Sequence, residues 1–183
     1  MAELIPHPQT PSPAIRRVDV FLTRLQAAEI QVGYLLHGDL GEVIFPATGV
    51  RERRDELWRH TCCELFVRLP ARKKYFEFNF SPSGSWAAYE FDDYRSQRRC
   101  TQLRDPPDIT CERVSGETVA LRATILVTPS ELATSGPLEL AATVVIEHAD
   151  GSLCYWARTH PADKPDFHHP DSFAMRLSPL EAP

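Results

Sequence analysis

The sequence predicts an all-β domain, a two-sheet antiparallel β-sandwich of jelly-roll or immunoglobulin-like type with about nine to ten strands. Three observations lead there. Apolar and polar residues alternate almost throughout, the period of a strand with one buried face. Dense turn chemistry separates the alternating runs. And 183 residues, 43% hydrophobic and 25% charged, fit one large domain without repeats.

Taken in order, residues 1–14 are proline-rich and aperiodic, and read as an extended or loosely ordered lead-in. Residues 15–178 form the domain and 179–183 a short tail. A first strand spans 18–24. A second spans 29–37, with Ile30, Val32, Tyr34 and Leu36 on one face and Gly38-Asp39 as the turn. The mixed-charge stretch 51–56 is a solvated connector. Residues 62–69 resume the alternation, and 74–80 show it most clearly. There Phe76, Phe78 and Phe80 point one way, Glu77 and Asn79 the other.

Ser81-Pro-Ser-Gly-Ser85 turns the chain into another extended run at 86–91, which makes 74–91 a hairpin. Trp86, Tyr89, Tyr94 and Arg95, an aromatic and basic group, read as core and edge packing. Residues 118–127 make a further strand, and 129–136 a short helix capped by Thr128. Runs at 138–148 and 153–160 flank Ala149-Asp150-Gly151-Ser152 as a second hairpin, and a last strand carries Phe173, Met175 and Leu177.

A net charge of −5 argues against a nucleic-acid binder. The N-terminus lacks a secretory pattern and no apolar run suits a bilayer span, so a soluble, cytoplasmic protein is expected. Five cysteines, an odd number without C-x-x-C spacing, read as small packed residues. Nothing in the pattern sets the oligomeric state.

Two constellations carry chemistry. Glu77 and Asn79 share the polar face of their strand, and Glu64 joins them if its strand is a neighbour. Trp58 lies six residues before Glu64. Carboxylates and an amide satisfy hydroxyls, and an indole packs on the apolar face of a pyranose, so the set suits a sugar. The alternative is an ordinary sheet face with polar cross-strand pairs. The second constellation is the 160–171 loop, with three His and three Asp. His160, His168 and His169 are candidate metal or haem ligands. Proline-rich turn structure with capping side chains is the competing reading. Glu64 and Glu77 also suit the carboxylate pair of a small hydrolase.

Three segments carry a family resemblance: Leu57-Trp-Arg-His-Thr-Cys-Cys-Glu-Leu-Phe66, Tyr75-Phe-Glu-Phe-Asn-Phe-Ser-Pro-Ser-Gly-Ser-Trp-Ala-Ala-Tyr89, and Tyr155-Trp-Ala with Lys164-Pro-Asp-Phe-His-His-Pro-Asp-Ser-Phe173. Over about residues 15–178 the chain resembles bacterial DOMON-like proteins, related to family 9 carbohydrate-binding modules. The resemblance implies a β-sandwich that binds sugar or haem. It makes Trp58 and Glu64 similar to the modules' first sugar-stacking Trp and its carboxylate, Asn79 similar to their amide, and Trp156 the second ring. The expectation is therefore a non-catalytic domain binding a small carbohydrate or glycoconjugate through Trp58, Glu64, Glu77, Asn79, Trp156 and a rim contact from His168. No cofactor is needed. Haem or a metal bound through the 160–171 loop is the alternative.

Overall fold

The computed structural model describes residues 1–126 and 132–179. The described chain is built from β1 (Ala2–Pro6), β2 (Ile15–Gln26), β3 (Glu29–Gly38), β4 (Cys62–Arg68), β5 (Tyr75–Phe80), β6 (Trp86–Phe91), β7 (Arg99–Cys100), β8 (Asp108–Ser115), β9 (Thr118–Leu126), β10 (Leu138–Glu147), β11 (Leu153–Ala157) and β12 (Met175–Leu177). Short 3-10 turns lie at Leu40–Glu42, Leu57–Arg59 and Pro170–Ser172. The helix expected at 129–136 is not seen over 132–136, which contain only a turn and bends, and 129–131 lie outside the described residues. Among the described residues no helix is long and apolar enough to cross a membrane.

The strands form one curled antiparallel sheet in the order β7-β6-β5-β4-β10-β11-β1-β2-β3-β9-β8, with β12 paired to β10. Two separate sheets and nine or ten strands were the expectation, and β1 is the main reason for the difference. Ala2–Leu4 pair with Val18–Val20 of β2, while Ile5 and Pro6 pair with Ala157 and Trp156 of β11. Within the proline-rich start, Ala2–Pro6 is therefore not loose but the strand that joins the two halves, and residues 7–14 follow it as turn and loop. Pro6 sits at its last residue, where a missing N–H does least harm to the ladder. His7 continues the attachment, donating its backbone N–H to the Tyr155 carbonyl at 2.8 Å.

The curl encloses one apolar core. From one half come Val18, Val20, Val32, Tyr34, Leu36 and Leu121; from the other come Leu65, Phe76, Phe78, Phe80, Val144 and Trp156. The alternation in β5 is thus as the sequence predicts. The Tyr34 hydroxyl crosses the core and donates to the Glu64 carbonyl at 2.6 Å. Replacing Tyr34 by Phe should cost about 1–3 kcal/mol, because the buried carbonyl loses a donor that water cannot replace. Chemical denaturation tests this, and an unchanged midpoint would show that the bond contributes nothing.

The β4–β5–β6–β10–β11 half is covered on its other face as well. Phe66, Tyr75, Tyr89, Phe91 and Val145 project from the strands there, and Phe167 and Phe173 of the C-terminal loop pack onto them. Strands β4 and β5 are consequently buried along nearly their whole length. Their polar residues lie under a cover of loop rather than on an open sheet face.

The hairpin between β5 and β6 closes as expected. Ser81 accepts from the Gly84 N–H and donates its own N–H to Ser85, both at 2.9 Å. Gly84 has φ of 90°, the left-handed region in which a side chain is strained.

Candidate functional site

Register brings the carboxylates together. Glu64 of β4 lies directly opposite Asn79 of β5, and Glu77 follows two residues before Asn79 on the same face. On its other side Glu64 faces Thr143 of β10, whose hydroxyl donates to Glu64 Oε2 at 3.2 Å. Asn79 donates its amide to Glu77 Oε1 at 2.7 Å. The two acids form the floor of a cleft of about 370 Å³, walled by Trp58, Phe91, Val145, Tyr155 and Phe167, with Arg95, Arg98 and His168 along its side.

Each wall is held by local structure. Trp58 sits in the Leu57–Arg59 turn, which lies against β4, β5 and β10. The stretch before it is tied to β6: Arg54 donates to the Trp86 carbonyl at 2.9 Å, and Trp86 to that of Glu52 at 3.1 Å. Asp55 accepts from Arg53 at 2.8 Å and from the Tyr89 hydroxyl. The Trp58 ring meets Tyr89 edge-on at 6.0 Å.

Arg95 and Arg98 stand on the 92–98 loop between β6 and β7. Arg95 and Gln97 take positive φ there, a conformation that non-glycine residues hold only when surrounding contacts enforce it. The contacts are present. The Arg95 guanidinium bonds Asp166 at 2.8 Å, the Tyr94 hydroxyl bonds the other Asp166 oxygen at 2.7 Å, and the Arg95 backbone N–H reaches the Tyr75 hydroxyl at 3.2 Å. Asp166 also accepts from the His168 N–H at 3.2 Å. This aspartate thereby fastens the C-terminal loop to the 92–98 loop.

Electrostatics follow from the burial. Glu64 is pushed well above the usual carboxylate range, first by burial and then by the neighbouring charge of Glu77. Glu77 is raised as well, again by burial, although the Asn79 amide, Arg98 and Arg95 pull in the opposite direction. His168 is driven down to about 3 by burial and by the positive charge of Arg95, so it is neutral at pH 7. Its Nδ1 lies 2.8 Å from the Tyr75 hydroxyl, which already accepts from Arg95. The consistent assignment has Tyr75 donating to Nδ1 and the imidazole proton on Nε2, 3.7 Å from Glu77 Oε2. At neutral pH this is no ion pair, and it is too long for a hydrogen bond. It leaves a donor and an acceptor that a small polar group can bridge.

Of the residues expected at the site, Trp58, Glu64, Glu77 and His168 line one cleft. Asn79 does not reach it: fully buried, it sits behind Glu77 as a supporting amide. Trp156 is a correction. It is 2% exposed and packs in the central core among the residues of the opposite face. Alternation along β11 turns Cys154 and Trp156 inward, and it is Tyr155 that enters the cleft. The same period-two rule applied to 153–157 carried that signal. Arg95, read as edge packing, stands at the cleft, and Arg98 and Phe167 were missed. No short-range pattern ties their loops to β4 and β5.

The loop histidines do not form one donor set. His160 Nε2 lies 2.9 Å from the Ile5 carbonyl, His168 faces Tyr75, and His169 Nδ1 accepts from the Asp171 N–H at 3.2 Å. Among the described residues no group of three or more His, Cys, Asp or Glu side chains is placed to hold a metal.

The chain matches no protein-family model and no curated protein sequence. Its fold does have a counterpart among solved structures. The crystal structure of a proposed carbohydrate-binding protein from Bacteroides uniformis aligns with a TM-score of 0.64 at 15% identity, over 93% of this chain and 82% of that one.

Proposed function

We propose that this chain is a non-catalytic, DOMON-like binding domain related to family 9 carbohydrate-binding modules, and that its cleft takes a small carbohydrate. One observation carries the reading: two buried carboxyl groups, Glu64 and Glu77, form the floor of a cleft whose walls are the rings of Trp58, Tyr155 and Phe167. Paired hydrogen-bonding oxygens below a flat indole suit a pyranose, which presents hydroxyls at its edge and C–H groups on its face. A sugar hydroxyl placed between His168 Nε2 and Glu77 Oε2 would accept from one and donate to the other. The volume lies in the range of small-ligand sites. The fold likeness to a proposed carbohydrate-binding protein is consistent with this use.

Calorimetric titration of the wild type and Trp58→Ala with a panel of mono- and disaccharides tests the reading. Saturable binding of at least one sugar is expected, weakened about tenfold or more in the variant by loss of the aromatic platform. The bound sugar should be recovered chemically unchanged. Binding that survives Trp58→Ala at full strength would place the sugar elsewhere, and hydrolysis would give Glu64 and Glu77 a catalytic role.

A further inference from the structure

The polar groups of the cleft are almost all answered from within the protein. Glu64 has Thr143, Glu77 has Asn79, His168 has Tyr75, and Arg95 has Asp166. Arg98 is different. No carboxylate pairs with it among the described residues. Its guanidinium instead lies over two rings, 5.7 Å from the centre of Trp58 and 5.1 Å from that of Tyr89. Asp55, which feels the charge of Arg98, is already bonded to Arg53 and Tyr89.

Building on the carbohydrate reading above, we infer that the preferred ligand of this cleft is an acidic sugar, a pyranose whose carboxylate pairs with Arg98 while its hydroxyls meet the floor. Three physical points support the choice. First, Arg98 is held in place before any ligand arrives, because aromatic faces stabilise a guanidinium laid over them and leave its N–H edge available. Second, Arg98 is the cleft cation without a bonded carboxylate among the described residues: the Arg95 guanidinium is taken by Asp166, and burial of Glu64 and Glu77 disfavours their charged forms. Third, a single guanidinium matches a single carboxylate in both charge and fork geometry. A phosphate would bring about −1.5 to −2 and leave part of it unbalanced beside the two acids.

The experiment is calorimetric titration of the full chain with two pairs of sugars that differ only at C6: glucose against glucuronate and galactose against galacturonate. Glucose 6-phosphate serves as a third kind of anion. Wild type, Arg98→Ala and Arg98→Lys are compared at low and high salt, with thermal unfolding as the control for folding. Because Arg98 is exposed, neither substitution should alter the fold. At least one uronate is expected to bind about tenfold or more tightly than its neutral counterpart, a difference of about 1.4 kcal/mol. That advantage should disappear in Arg98→Ala, persist in part in Arg98→Lys, and shrink with salt. Equal affinity for each pair, or an advantage that survives Arg98→Ala, overturns the inference and leaves the carbohydrate reading intact. Tightest binding of glucose 6-phosphate overturns the choice of a carboxylate. No heat with any sugar, from folded protein, overturns both readings.

Discussion

Truncating Trp156 to alanine is expected to cost about 3–5 kcal/mol of stability, the range for removing a large aromatic side chain from a packed core. The ring lies at the seam of the curled sheet, between Pro6 of β1 and Val144 of β10 in register. It packs with residues of both halves, so the void left behind cannot be closed by moving one strand. Its indole N–H is buried and has no hydrogen-bond partner among the described residues. Trp156→Phe should therefore be much milder, since it removes an unsatisfied donor along with part of the ring. Urea unfolding provides the measurement, with a lower midpoint and an unchanged slope expected for the alanine variant. A loss below about 1 kcal/mol, the scale of an ordinary substitution, would mean that the ring does not fill the core.

The second large effect is a dependence of stability on pH that runs opposite to that of most carboxylates. Glu64 and Glu77 bind protons more tightly in the folded chain than in the unfolded one, and Glu77 moves from 4.5 to about 7. Between those limits the folded state carries more bound protons, so raising the pH favours unfolding. The penalty is absent below the unfolded value and complete above the folded one. For Glu77 alone it is on the order of 3 kcal/mol, taking 1.36 kcal/mol per unit. Glu64→Gln/Glu77→Gln should accordingly be more stable than wild type at pH 8 and lose that advantage by pH 4.5. Denaturation midpoints at the two pH values decide the matter. An advantage of equal size at both would show that ionisation is not the cause. His168 contributes on the acid side with the other sign: its folded value of about 3 lies below the unfolded one, so stability falls as the pH drops through about 6.5.

Much of the fold is legible in the sequence because a strand records its two faces in alternate residues. In β5, Phe76, Phe78 and Phe80 enter the core while Glu77 and Asn79 take the other face. The same periodicity does not say what lies above that face. Glu64 and Glu77 look like surface residues until the C-terminal loop is laid over them, and that contact joins positions 71 and 93 residues apart, through Asp166 to Arg95 and His168 to Tyr75. Strand β1 was hidden for another reason. Prolines at 6 and 8 suggest disorder, yet the pairing at Ala2–Pro6 depends on partners at residues 18–20 and 156–157. Strand β8 was missed because it is an edge strand whose residues are mostly exposed, with Ile109 the buried one, so it carries little apolar alternation. Trp156 shows the opposite error, an assignment by resemblance that alternation along β11 would have moved to Tyr155.

The most direct measurement is a crystal structure of the protein with the sugar that binds most tightly. The ring should lie against Trp58, with hydroxyls on Glu64 and Glu77 and, for an acidic sugar, its carboxylate on Arg98. A second groove, lined by Phe21, Gln31, Gly33, Leu35 and Arg122, lies among residues of β2, β3 and β9, away from these carboxylates. Sugar bound in that groove, with the Glu64–Glu77 cleft vacant, would contradict the assignment.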